Sequence, residues 1–239
     1  QVQDANLCWS ESSEIVSVIV NALPSQPTIT YTGALVFCEG DSLELSTAAM
    51  TEYLWSNGAT SQNIYVKTAG SYTVQVKDAK GCMSEASLAV SITVNPLPGK
   101  PVISNTGALE FCEGGSVSLS TSVMDNYLWS TGETTQDIVI TSNNKISLKV
   151  QNSNSCWSVA SDSVEVIVNP LPAKPVISNI DALEFCDGNS VDLSTASMND
   201  YLWSTGETTQ TITVIASDDL SVQVQDANLC WSESSEIVS

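Results

Sequence analysis

Apolar and polar residues alternate with a period of two along most of this chain, and nowhere with the 3.6-residue period of a helix. Leu43/Leu45, Val117/Leu119 and Val191/Leu193 are separated by Ser, Glu or Asp, and Ile64/Val66, Ile138/Ile140 and Ile212/Val214 repeat the pattern. A third set is Tyr72/Val74/Val76, Ile146/Leu148/Val150 and Leu220/Val222/Val224; a fourth is Val90/Ile92/Val94 and Val164/Val166/Val168. Such runs fit strands with one buried face and one wet face. Turn signals separate them at Asn57-Gly58, Thr131-Gly132, Thr205-Gly206 and Lys80-Gly81. The pattern predicts an all-β chain of β-sandwiches, each with six to seven short antiparallel strands.

The strand sets recur every 74 residues, and the phrase Tyr-Leu-Trp-Ser starts at Tyr53, Tyr127 and Tyr201. Proline punctuates the boundaries: Pro96, Pro98 and Pro101 before the second repeat, Pro170, Pro172 and Pro175 before the third. Proline fixes φ and removes a donor, so these stretches end strands and hold short, extended linkers. The expected domains are 25–98, 99–172 and 173–239, the last truncated in its final strand. Residues 1–24 read as the closing strands of a preceding repeat. Short linkers predict an elongated, semi-stiff rod.

Seven cysteines stand at 8, 38, 82, 112, 156, 186 and 230, with spacings alternating 30 and 44. A 74-residue unit is small for a self-sufficient core, so one bridge per unit is expected, and with it an oxidising, extracellular location. The expected pairs are Cys38–Cys82, Cys112–Cys156 and Cys186–Cys230, each closing a loop worth roughly 4 kcal/mol in the chain-entropy account. Structural zinc is the rival, but two cysteines per unit without histidine cannot fill four ligand positions. Cys8 aligns with the second cysteine of each pair, which places its partner outside the chain.

Trp55, Trp129 and Trp203 recur in every unit and are expected in the core, with a carbohydrate-stacking platform as the alternative. Trp9, Trp157 and Trp231 follow the second cysteine, where the first whole repeat has Met83. They are expected to cover the bridge or contact the adjacent domain. Met50, Met124 and Met198 are expected to cap one pole of each sandwich.

Twenty-seven acids against seven lysines, with no arginine or histidine, give a net charge of -20. Such a surface cannot replace the cations condensed on a phosphate backbone, which excludes nucleic acid as a partner. No apolar run approaches the roughly 20 residues of a membrane-spanning helix. No cofactor is implied. A site for metal is not expected; the lesser alternative is calcium at a pole, held by Asp181, Glu184, Asp187 and Asp226, which lack the tight spacing of calcium loops. Without histidine or arginine, and without acids paired across units, an enzyme is not expected either.

Residues 223–239 repeat residues 1–17 letter for letter, whereas 75–91 match them at only ten positions and 149–165 at eight. The nearest relative of the opening segment therefore lies three units away, which implies a second-order repeat of 222 residues. Proteins built this way work by length or multiplicity.

The phrases FCEGDSLELST, YLWSNGATSQNIYV, GSYTVQVKDAKGC and ITVNPLP resemble the immunoglobulin-like, or PKD-like, repeats of very large surface and secreted proteins in gliding and marine Bacteroidota. The shared pattern falls on Cys38, Trp55, Gly58, Ile64, Gly70, Tyr72, Val74, Val76, Asp78, Gly81 and Cys82. The second repeat departs from it at Asn144, Ile146, Asn152 and Ser155, and the third at Asp218, Leu220 and Leu229. The resemblance implies tandem Ig-like domains in a type IX-secreted adhesin or filament, associated with the cell surface through other regions. The expected role is a structural and adhesive repeat region, with parallel copies of the same chain as partners and any surface or glycan target reached by regions outside this chain. An array of carbohydrate-binding modules is the alternative.

Overall fold

The computed structural model describes residues 1–179 and 182–239. The chain divides into two compact units, Gln1–Pro96 and Leu97–Ser239. Every regular element among the described residues is a strand; a set of eight appears twice, and five of its members appear a third time.

In the first unit the strands are β1 (Thr30–Tyr31), β2 (Val36–Cys38), β3 (Leu43–Ser46), β4 (Glu52–Trp55), β5 (Asn63–Val66), β6 (Gly70–Tyr72), β7 (Val74–Lys77) and β8 (Val90–Asn95). One small sheet has the order β1-β3-β5; β2-β8-β6 and β4-β7 form the others. Only Thr73 separates β6 from β7, so these two sheets share one continuous run of chain. Leu43, Leu45, Ile64 and Val66 from the first sheet meet Trp55, Tyr72, Val74, Val76 and Ile92 from the others in a single core. The arrangement is sandwich-like, and each residue lies on the face its period-two pattern assigns.

The second unit repeats this once in full and once in part. Strands β9 (Ser104–Thr106), β10 (Glu110–Cys112), β11 (Val117–Ser120), β12 (Asn126–Trp129), β13 (Asp137–Ile140), β14 (Asn144–Ile146), β15 (Leu148–Gln151) and β16 (Val164–Asn169) pair as their counterparts do. The third set comprises β17 (Ser178–Asn179), β18 (Val191–Ser194), β19 (Asp200–Trp203), β20 (Thr211–Val214) and β21 (Val222–Gln225).

One feature departs from the expected antiparallel pairing. Strand β2 runs parallel to β8, and β10 parallel to β16. The chain leaves β1 in one sheet and enters β2 in the other, and the crossing passes through Gly33 at φ 132°. A Cβ there would meet Leu43 Cδ1 at 3.1 Å, so glycine suits this position on both counts. Gly107 (φ 105°) does the same between β9 and β10.

Recurrent side-chain hooks fix the loops. Trp55, Trp129 and Trp203 are each 1% exposed, and their indole N–H groups donate to the carbonyls of Ser61, Thr135 and Thr209 at 2.8 Å. The hydroxyls of Tyr53, Tyr127 and Tyr201 accept from the backbone N–H of Met50, Met124 and Met198. Met50 and Met124 in turn pack against their cores. Tyr72 donates to the Thr68 carbonyl at 2.9 Å. The second and third repeats bury Ile146 and Leu220 in its place, exchanging a hydrogen bond for purely apolar contact.

Candidate functional site

The most specialised local structure is the turn carrying the second cysteine of each repeat. Asp78 Oδ1 accepts from the N–H groups of Lys80 (2.9 Å) and Cys82 (3.0 Å). Asn152 does the same for Asn154 and Cys156 at 3.1 Å, and Asp226 for Asn228 and Cys230 at 2.9 Å. An Asx side chain thereby stands in for a backbone acceptor and sets the turn. The residue before the cysteine has left-handed backbone: Gly81 (φ 82°), Ser155 (φ 61°) and Leu229 (φ 62°).

After the cysteine, two serines recur that sequence reasoning passed over. Ser84 and Ser87 are buried, and their hydroxyls accept from the N–H groups of Val76 and Val74 at 3.0 and 3.1 Å. Ser158/Ser161 bind Val150 and Leu148, and Ser232/Ser235 bind Val224 and Val222, in the same way. Each hydroxyl satisfies a strand N–H that faces a segment forming no strand of its own. Their signal was available: serines two and five residues after each second cysteine, on a half-apolar pattern.

The expected pairing of cysteines within a repeat is corrected by the structure. Cys112, at the end of β10 in the second repeat, is joined to Cys230, in the turn of the third, with Cα atoms 5.6 Å apart. The bridge therefore spans two successive repeats. This rules out Cys112–Cys156 and Cys186–Cys230, since Cys186 is a free, exposed thiol. Cys82 is also free, which rules out Cys38–Cys82. Cys38 and Cys156 are both disulfide-bonded. The physical reason is reach: Cys112 closes β10 at the edge of its sandwich, and the Asx turn set by Asp226 presents Cys230 of the following repeat to it. Cys230 is wholly buried by this contact.

Cys8 is free and exposed, although residues 1–17 and 223–239 are identical. The turn itself forms in both places: Asp4 Oδ1 accepts from Asn6 and Cys8 at 2.9 Å, and Leu7 has φ 66°. Burial differs completely. Val2 is 75% exposed and Val224 2%, because Val224 lies on β21 against Tyr201 of β19. The turn is thus written in local sequence, and the core contact in what packs on it.

The remaining expected positions are scattered. Trp9 and Trp157 are exposed, at 64% and 36%, while Trp231 is half-buried. Each bridges by backbone to the strand before its turn, Trp157 to Gln151 and Trp231 to Gln225. Pro101 and Pro175 are buried, whereas Pro96, Pro98, Pro170 and Pro172 remain exposed or half-buried. Beside the buried prolines, Lys100 pairs with Asp162 at 2.5 Å and Lys174 with Glu236. The hydrogen bond from Lys174, reinforced by its charge, lowers the pKa of Glu236. A hydrogen bond from Thr205 lowers that of Glu207.

Of the calcium alternative, Asp181 lies outside the described residues. Glu184 and Asp187 are exposed, and Asp226 has one oxygen committed to its turn. Among the described residues, no group of three or more acids or cysteines could hold a metal ion. No described helix is long and apolar enough to cross a membrane.

Neither a protein-family model nor a curated protein matches the chain. Among solved structures, the human OSCAR ligand-binding domain aligns with 60% of this chain and 99% of its own length. Identity is 13% and the TM-score 0.27, too low to carry an argument about either molecule.

Proposed function

We propose that this chain is a structural and adhesive repeat region of a very long extracellular filament or adhesin. In this reading its repeats are Ig-like sandwiches at 25–98, 99–172 and 173–239, with residues 1–24 closing a preceding one. Parallel copies of the same chain are its partners, and it performs no catalysis. The observation that carries the proposal is the Cys112–Cys230 bridge. A bond within a repeat stabilises only that repeat, whereas a bond between repeats transmits load past a proline linker. Such a bond persists in an oxidising, extracellular setting.

The burial of Trp55, Trp129 and Trp203 also favours a structural role over a glycan-binding array, because it removes the tryptophan that recurs in every repeat from any binding face. Immunogold labelling of intact source cells with antibodies against the chain tests the reading. Label along surface filaments is expected; label confined to the cell interior would sink it.

A further inference from the structure

The sheet of β12 and β15 in the second repeat has one face in the core and one in water. Tyr127, Trp129, Leu148 and Val150 are buried on the inner face. Leu128 and Lys149, directly opposite one another in the pairing, lie on the outer face and are exposed. Beyond β15 the returning chain adds Trp157, which bridges by backbone to Gln151, and Val159, which follows the buried Ser158. Leu128 is 44% exposed and Val159 57%. Three large apolar side chains thus share this face with one lysine, and Lys149 forms no ion pair among the described residues. The outward leucine recurs: Leu54 and Leu202 hold its place in the first and third repeats and are 43% and 42% exposed. The second repeat has one repeat before it and one after it, and its leucine is no less exposed, so the open face is a property of the repeat itself.

The chemistry around that leucine differs between repeats. In the third, Gln223 stands opposite Leu202 where the second has Lys149, Glu233 replaces Val159 and Asp200 replaces Asn126. The Gln223 amide donates to the Ser232 carbonyl at 3.0 Å, so it is held against its own repeat. Glu233 is exposed and Asp200 half-buried, and neither has an ion pair among the described residues. The outward positions of the second repeat's strands and returning segment therefore carry a lysine and no acid, and those of the third carry two acids and no lysine. In a chain of 27 acids and seven lysines, such an unopposed lysine among apolar side chains is the exception.

We propose that the outer face of β12 and β15 in the second repeat docks on the outer face of β19 and β21 in the third repeat of a second copy of the chain. Leu128 and Leu202 meet at its centre, and Lys149 answers Glu233 and Asp200. An exposed ion pair by itself contributes little. Here the pair lies among Leu128, Trp157, Val159 and Leu202, whose removal from water drives the contact, while the charges select which faces meet. The first repeat's face is the poorer match, because Lys77 stands on it and already binds Glu52 at 3.0 Å. Donor and acceptor faces differ, so the contact is heterologous and leaves each copy a free face for the next. The proposal rests on the reading that copies of this chain are its partners, and it assigns the surfaces by which they meet.

The test is sedimentation of the full chain over a wide concentration range, with its free thiols alkylated to exclude disulfide exchange. An ionic strength of about 0.15 M damps repulsion between the acidic copies beyond about 8 Å but spares charges in contact. The weight-average mass is expected to rise with concentration above the 25.3 kDa of one chain. Lys149→Glu and Glu233→Lys, both at exposed side chains, are each expected to raise the concentration needed by at least about tenfold. The two substitutions in one chain restore opposite charges across the contact and are expected to bring it back towards that of the parent. Single variants that associate like the parent, or a double variant no better than either, overturn the assignment of the two faces and leave copies of the chain standing as partners. A parent that stays at one chain overturns both.

Discussion

The indole N–H of Trp129 reaches across the turn that follows its own strand and donates to the carbonyl of Thr135 at 2.8 Å. The ring is simultaneously the largest side chain in its core, 1% exposed. One residue therefore fills the centre of the sandwich and ties down the loop over it. Trp129→Ala removes both functions and is expected to cost about 3–5 kcal/mol, enough to unfold its repeat. Trp129→Phe keeps most of the volume but loses the donor, so its loss should be smaller. Chemical denaturation of the two variants checks the order. Equal stability of Trp129→Ala and the parent would return the residue to the status of a surface platform.

Leu229 adopts φ 62°, where its first-repeat counterpart is Gly81 at φ 82°. A side chain in left-handed backbone costs roughly 1–2 kcal/mol, partly offset by the greater entropy that glycine loses on folding. Leu229 is also 66% exposed, so it gives up little packing when removed. Leu229→Gly is expected to stabilise the third repeat by about 0.5–1 kcal/mol, and Gly81→Leu to destabilise the first by a similar amount. Paired thermal melts decide this. A destabilised Leu229→Gly would show that the turn is held by more than its backbone.

The strands were legible because period-two alternation is a property of each short run, and Leu43/Leu45 or Val222/Val224 face inward wherever the sheet twists. The parallel pairing of β2 with β8 was not, since it depends on a crossing at Gly33 that leaves no alternation to read. The disulfides failed for a different reason. On a strict 74-residue period, pairing each first cysteine with the second of its own repeat, 44 residues on, is as regular as pairing it with that of the next. Periodicity cannot choose between them. The choice is made by Cys112 lying at a strand end within reach of the next turn, which is a fact of three-dimensional stacking. Residues 1–17 show the same division: they form their Asx turn unaided, yet leave in water the valine that residues 223–239 bury.

Free thiols give a direct chemical check. Brief native alkylation with iodoacetamide should label Cys8 and Cys186, which are exposed, ahead of the half-buried Cys82. Cys38, Cys112, Cys156 and Cys230 should remain unlabelled until reduction. Peptide mapping that recovers Cys112 linked to Cys156 would reverse the assignment of the bridge.

The Lys174–Glu236 pair gives a pH dependence of known sign. Because the carboxyl of Glu236 has its pKa lowered by Lys174, its contribution to folding is present above the ordinary carboxylate value and is lost as pH falls through the lowered one. The pair is exposed, so the effect on global stability is small and is best read locally. Carboxyl chemical shifts of Glu236 should titrate below those of a solvated glutamate, and Lys174→Met should return them to the ordinary midpoint. An unchanged midpoint in that variant would remove the lysine as the cause.

The inter-repeat bridge has a mechanical consequence that length alone can measure. Cys112 and Cys230 are 118 residues apart, and the bond between them withholds the intervening chain from extension when the ends are pulled. At roughly 3.3–3.6 Å per extended residue, that is about 400 Å of hidden contour. Bridges confined within repeats would hide three separate, much shorter lengths instead. Pulled between its termini under oxidising conditions, in a background carrying Cys38→Ser and Cys156→Ser so that the Cys112–Cys230 bond stands alone, Cys112→Ser is therefore expected to add about 400 Å of extension. The same substitution should lower stability by up to about 5 kcal/mol, the chain-entropy figure for so long a loop. It should also let the second and third repeats melt separately, because a shared covalent constraint couples the unfolding of both. A variant that gains no length would mean that the bond does not carry load between repeats, and the structural role proposed for it would fall with that result.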